Sequence, residues 1–80
     1  MQDHISSPES QIIPMDRLPI RLGQLLKFVG AVDNGLEAKH RIQNGDVRVN
    51  DQVEVRRGRQ ILQGDRILID NKLFLITSGN

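Results

Sequence analysis

Three arginines within four residues, Arg56, Arg57 and Arg59, are the densest chemical feature of the sequence. Guanidinium groups present a planar fork of donors that matches a phosphate in bidentate fashion. A second basic cluster, Lys39, His40 and Arg41, precedes them, and Lys27 and Arg48 add single cations. Any one of these is by default a solvated surface group, paired with a carboxylate such as Glu37, Asp46, Asp51, Glu54 or Asp65. The collective case is stronger. If the chain folds so that Lys27, Lys39, Arg41, Arg48, Arg56, Arg57 and Arg59 share one edge, that edge can grip a polyanion.

Other chemistries are poorly supplied. The only histidines are His4 and His40, and no spacing sets two acidic groups as a catalytic acid and base. There is no cysteine, which excludes disulfides, zinc thiolates and thiol catalysis. No glycine-rich loop ends in Lys-Ser or Lys-Thr, and no close-spaced ligand set suits a metal. The expectation is a protein that is not an enzyme, with no cofactor and no metal. Tryptophan and tyrosine are absent and phenylalanine occurs twice, so a broad stacking platform for nucleic acid is not expected.

The chain has 80 residues, of which 24 are Leu, Ile or Val. That supports one small packed domain with little room to enclose a substrate. The net charge is only +1, but it is unevenly spread: residues 1–20 carry −2 and residues 21–80 carry +3. No apolar run approaches the ~20 residues of a membrane span, and Asp3, Pro8 and Glu9 interrupt any signal-peptide pattern. A cytoplasmic protein with no membrane partner is expected.

The elements that must position the cations follow from periodicity. Residues 1–10 are polar and read as a mobile N-terminal tail, leaving a single domain over 11–78. Gln11-Ile12-Ile13, ending at Pro14, suits an edge strand, and Leu18-Pro19-Ile20 is a second extended candidate. Leu22, Leu25, Leu26 and Val29 form one helical stripe that stops at Gly30. Phe28 falls off the stripe and is expected to lie against the neighbouring helix, the alternative being that it stacks on an exposed base. Asn34 with Glu37 marks the start of a second helix, and Gly45 its left-handed end. Gly35 and Ala38 on that helix suit close packing.

After Gly45 the period becomes two. Parity predicts a three-residue loop over residues 50–52, pairing Val49 with Val53 and Val47 with Val55 on one face. Asn50 is expected to order this turn. Ile61-Leu62 returns to the core, and Gly64-Asp65 turns into a second hairpin, Arg66 to Ile69 and residues 73–76, over Asp70-Asn71. Residues 77–80 read as frayed. Both faces of the second hairpin are apolar. Either the hairpin is covered on both sides, the N-terminal strand being a candidate cover, or a patch is left for a partner. The fold class is α+β: two short helices packed on a small, mainly antiparallel sheet.

Residues 21–69 resemble the RNA-binding domain named after ribosomal protein S4, also called the αL motif. The family pattern appears here as Arg21-Leu22, Leu26 and Gly30, then Ala38, then Ile42, Gly45, Val47, Val49 and Asn50, and finally Gly64-Asp65 before a strand. Two positions depart from it. Asn34-Gly35 stands where Ser-Arg is usual, removing a common RNA-contacting arginine, and Arg41 replaces an apolar residue. Gln24-Leu25-Leu26-Lys27, Gly35-Leu36-Glu37-Ala38-Lys39 and Arg56-Arg57-Gly58-Arg59 resemble the small stand-alone YbcJ/YaaA-like branch. The resemblance implies a whole small protein rather than a module of an enzyme. It also implies structured RNA as partner, ribosomal RNA among the candidates. The rival reading is a protein-interaction module that binds a protein partner, or a second copy as a homodimer, through the C-terminal hairpin.

Overall fold

The computed structural model describes residues 7–79. Among the described residues, two helices and seven strands follow in the order β1 (Glu9–Met15), β2 (Ile20–Arg21), α1 (Leu22–Phe28), α2 (Gly35–Gln43), β3 (Arg48–Val49), β4 (Gln52–Val53), β5 (Gln60–Ile61), β6 (Arg66–Ile69) and β7 (Lys72–Ser78). Five strands form one sheet in the order β1-β7-β6-β3-β4, while β2 and β5 pair separately. All pairings are antiparallel except β1 with β7. The expected α+β arrangement is therefore found. Among the described residues, no helix is long and apolar enough to cross a membrane.

The helices form where the apolar stripe predicts. In α1, Leu22, Leu25 and Leu26 are fully buried, and in α2 so are Ala38 and Ile42. At the start of α2 the Asn34 side chain accepts from the Glu37 N–H at 2.9 Å. Glu37 reaches back to accept from the Asp33 N–H at 2.7 Å, one residue before the position a capping box would use. Gly45 has φ of +82°, the left-handed conformation expected of it. Both helices are too short to persist alone in water and depend on their shared core. That core joins them to the inner sheet face through Val47, Val49, Ile67, Ile69, Phe74 and Ile76.

The first hairpin departs from the expected register. Its loop has two residues, Asn50 and Asp51, and Val49 pairs with Gln52 while Arg48 pairs with Val53. Both loop residues take positive φ, +53° and +73°, the pattern of a type I′ turn. Two interactions outside the hairpin impose this. The Asn50 amide donates to Asp65 at 3.0 Å and its carbonyl accepts from the Arg66 N–H at 2.9 Å, stitching the turn to β6. Glu54, not a valine, occupies the buried position after β4, its N–H donating to the Val47 carbonyl at 3.0 Å. Val53 and Val55 are left exposed.

Three further expectations need correction. Glu9 and Ser10, expected in the tail over residues 1–10, are strand residues that pair with Lys72 and Leu73; residues 1–6 lie outside the described residues. The C-terminal end is less frayed than expected, because Thr77 and Ser78 pair with Pro14 and Met15; Asn80 lies outside the described residues. Leu62 is exposed, and only Ile61 of that pair is in the core.

The second hairpin turns at Asp70-Asn71 as expected, again with positive φ at both residues. Of the two alternatives for its faces, the uncovered one is found. β1 extends the sheet beside β7 and covers neither face. Leu68, Leu73 and Leu75 stay half-buried on the outer face, beside an Ile12 that is 67% exposed. The register is directly testable. Val49→Ala should lower the unfolding free energy by about 1–3 kcal/mol. Val53→Ala should change it by less than about 0.5 kcal/mol. Equal costs in urea denaturation would restore the valine-on-valine register.

Candidate functional site

The first amides of a helix have no partner within it. Arg21, which precedes α1, makes no side-chain cap. Instead the Leu22 N–H donates to the Arg59 carbonyl at 2.8 Å and the Gly23 N–H to the Arg57 carbonyl at 3.1 Å. The 56–59 loop is thus fastened across the start of α1. The lack of a side chain at Gly23 leaves room for the Arg57 side chain, whose Cγ would lie 2.8 Å from a Cβ there, while the loop carbonyl at 3.7 Å would be in ordinary contact.

Beside this junction lies an open groove of about 250 Å³. Its floor is small: Gly23 of α1, Gly35 and Ala38 of α2, and Gly58 of the loop. Its rim is cationic. Arg21, Gln24 and Lys27 are spaced three apart along one side of α1, and Arg57 comes from the loop. None of Arg21, Lys27 and Arg57 has an ion-pair partner among the described residues. All three are exposed. Three convergent cations without carboxylates make a local positive field suited to an anion, which the near-neutral total charge conceals.

The seven cations expected to share one edge are divided by the fold. Lys27 and Arg57 meet at the groove. Lys39 is half-buried on α2, next to the groove-lining Ala38, and has no ion pair among the described residues. Arg56 and Arg59 border a second hollow with Gln60, Leu62 and Asp65, and Gly58 borders both hollows. Both arginines bind Glu54, at 2.9 Å from Arg56 Nε and 2.7 Å from Arg59 Nη1. Arg48 is exposed and reaches only the Asp51 carbonyl, at 3.4 Å.

Arg41 serves the fold. It donates from Nε to Asp46 at 2.8 Å and from both terminal nitrogens to Asp70, tying α2 to the turn between β6 and β7. The hydrogen bonds to Asp70 and Asp46 raise its pKa further, and Arg41 in turn lowers that of Asp70. Arg21 is the groove cation absent from the expected set. The signal for it was its spacing from Gln24 and Lys27 along one helical side.

Glu54 is 7% exposed and carries the strongest acid shift, down to about 2. The leading cause is the Arg56 guanidinium, opposed by desolvation and aided by Arg59 and the Arg56 N–H at 3.0 Å.

Residues 13–77 match the family model of the S4 domain. The probable ribosome maturation protein RlbA of Bacillus subtilis (strain 168) is 38% identical over 58 residues, spanning 72% of this chain and 82% of that protein. The solution structure of YbcJ from E. coli, which revealed an αL motif involved in RNA binding, aligns with a TM-score of 0.62. It shares 24% identity and covers 98% of each chain.

The Glu54 shift predicts an acid sensitivity. A carboxyl held below its unfolded value contributes stability that is complete above that value and is lost as pH falls through the folded one. For Glu54 the window runs from about 4.5 down to about 2. Asp70 adds in the same direction. Glu54→Gln should cost on the order of 1–3 kcal/mol at pH 7 and flatten the fall in stability across that window. Denaturant titrations with equal pH slopes in both proteins would assign the acid sensitivity to other groups.

Proposed function

The chain belongs to the S4 domain family, whose model spans residues 13–77, and on that premise we propose that it binds RNA without catalysing a reaction. The observation that carries this reading is the groove where Arg21, Lys27 and Arg57 converge with no carboxylate paired to them. Its shallow, small-residue floor gives a phosphodiester close access to the backbone of both helices and the loop. Phosphate contacts of this kind supply affinity and register, while base identity must be read elsewhere.

Lys39, Arg56 and Arg59 extend the basic rim in this reading, whereas Arg48, opposite Leu68 on the outer sheet face, stands apart from it; the heads of Arg56 and Arg59 stay within reach of solvent despite their pairing with Glu54. Arg41 is left out, its donors being committed to Asp46 and Asp70. The target is structured RNA, and the ribosome maturation protein among the relatives favours ribosomal RNA, bound in the cytoplasm. Crosslinking in cells followed by sequencing of the attached RNA identifies it.

A second reading, a protein contact, is favoured by one observation: the outer sheet face with Ile12, Leu68, Leu73 and Leu75 incompletely covered. A second copy meeting the first through this face gives a dimer that salt does not dissociate.

Both readings can be tested with one preparation. In anisotropy titrations of a labelled RNA hairpin across a KCl series, Arg21→Ala, Lys27→Ala and Arg57→Ala should each reduce the log–log salt slope by roughly 0.7–0.9. Arg41→Ala should lower the melting temperature and leave the slope unchanged. A triple variant at 21, 27 and 57 with the wild-type slope would remove the groove from the interface. In sedimentation velocity, the second reading expects a salt-insensitive dimer that Ile12→Lys converts to monomer. A monomer at every concentration eliminates it.

A further inference from the structure

We propose that Phe28 and residues 14–17 form a stacking subsite for one unpaired nucleobase, a proposal that rests on the RNA-binding reading above. The two phenylalanines of the chain have opposite fates. Phe74 is 2% exposed at the centre of the core, whereas Phe28, the last residue of α1, is 64% exposed. Of the two expectations for Phe28, packing against the neighbouring helix and stacking on a base, the first is not met: the residue borders a hollow of about 270 Å³ with Pro14, Met15, Asp16 and Arg17, none of them from α2.

The chemistry of this lining is specific. It joins one aromatic face and two apolar side chains to one carboxylate and one guanidinium. A flat heterocycle uses all of these: its face stacks on the ring, its amino edge donates to Asp16, and its 5′ or 3′ phosphate meets Arg17. An aliphatic ligand would leave both charged groups unused.

The position is equally specific. Lys27 borders the cationic groove and Phe28 borders the hollow. Consecutive helical residues point roughly 100° apart, so the two sites flank the last turn of α1. A strand held by its phosphates in the groove and leaving over that turn meets the Phe28 ring next. The duplex portion of a hairpin keeps its bases stacked on one another; the loop offers a base that can swing out.

The absence of tryptophan and tyrosine gives a clean reporter, since Phe28→Trp introduces the only indole of the chain. Two probes are used: an RNA hairpin with an adenine-rich loop, and a blunt duplex of the same stem. The expected result is quenching of Phe28→Trp emission by the looped RNA and not by the duplex. Phe28→Ala should bind the looped RNA about 5- to 100-fold more weakly with the wild-type salt slope, as a loss of stacking without loss of phosphate contacts requires. Its thermal melt should match the wild type, because the ring is mostly outside the core. Unquenched emission, or unchanged affinity of Phe28→Ala, alongside intact salt-dependent binding overturns the stacking subsite alone. If the wild-type protein shows no salt-dependent binding to either probe, the RNA reading falls and the subsite with it.

Discussion

Two backbone hydrogen bonds hold the functional side of this molecule together. The Arg57 and Arg59 carbonyls accept from the amides of Gly23 and Leu22, where α1 begins without a side-chain cap. The bonds satisfy donors that a helix start otherwise leaves to water. They also decide where the arginine loop runs. Because it crosses directly over Gly23, Arg57 stands at the mouth of the groove between the helices. Pairing of β2 with β5 reinforces the same junction on its far side, Ile20 opposite Ile61 and Arg21 opposite Gln60. A side chain at 23 would turn the Arg57 side chain aside and take the cation from the groove, while the loop backbone, 3.7 Å away, could stay in ordinary contact.

The acidic residues then sort the remaining cations by task. Glu54 is buried and takes two arginines, Asp46 and Asp70 take Arg41, and Asp51 takes Arg66. Of the seven cations left without an ion pair among the described residues, Arg21, Lys27 and Arg57 meet at the groove, while Arg17, Arg48 and Lys72 do not line it. A chain with eleven basic and ten acidic residues can therefore present a positive site without being a basic protein. Charge balance in such a fold describes solubility, whereas pairing describes where a polyanion can settle.

Local patterns made much of the architecture legible. The leucine stripe of α1, the Asn34 cap and the Asp70-Asn71 turn each depend on residues within a few positions of one another, and each appears where its pattern predicts. The first hairpin failed for the opposite reason. Alternation of valines suggested one face, but the deciding interactions come from Asp65 and Arg66 through Asn50, and from two arginines through Glu54. A buried glutamate is invisible to a hydrophobic pattern, because its burial is stabilised only by partners the pattern does not show. The groove was half legible for the same reason. Lys27 and Arg57 were singled out by type, while Arg21 joins them through a helical spacing that acquires meaning only once the loop is laid across α1. The exposed ring of Phe28 reflects the course of residues 14–17, which no periodicity encodes.

The parallel pairing of β1 with β7 gives the molecule an order of assembly. Glu9 lies opposite Lys72 and Met15 opposite Ser78, so the first of the described strands needs the last as its neighbour. At about 5–20 residues per second, a nascent β1 waits several seconds for that partner to be made. The helices, both hairpins and most of the apolar interior involve shorter separations along the chain and can close first. β1 is then a latch added to a nearly finished body, and until it engages, the flank of β7 is open to other strands.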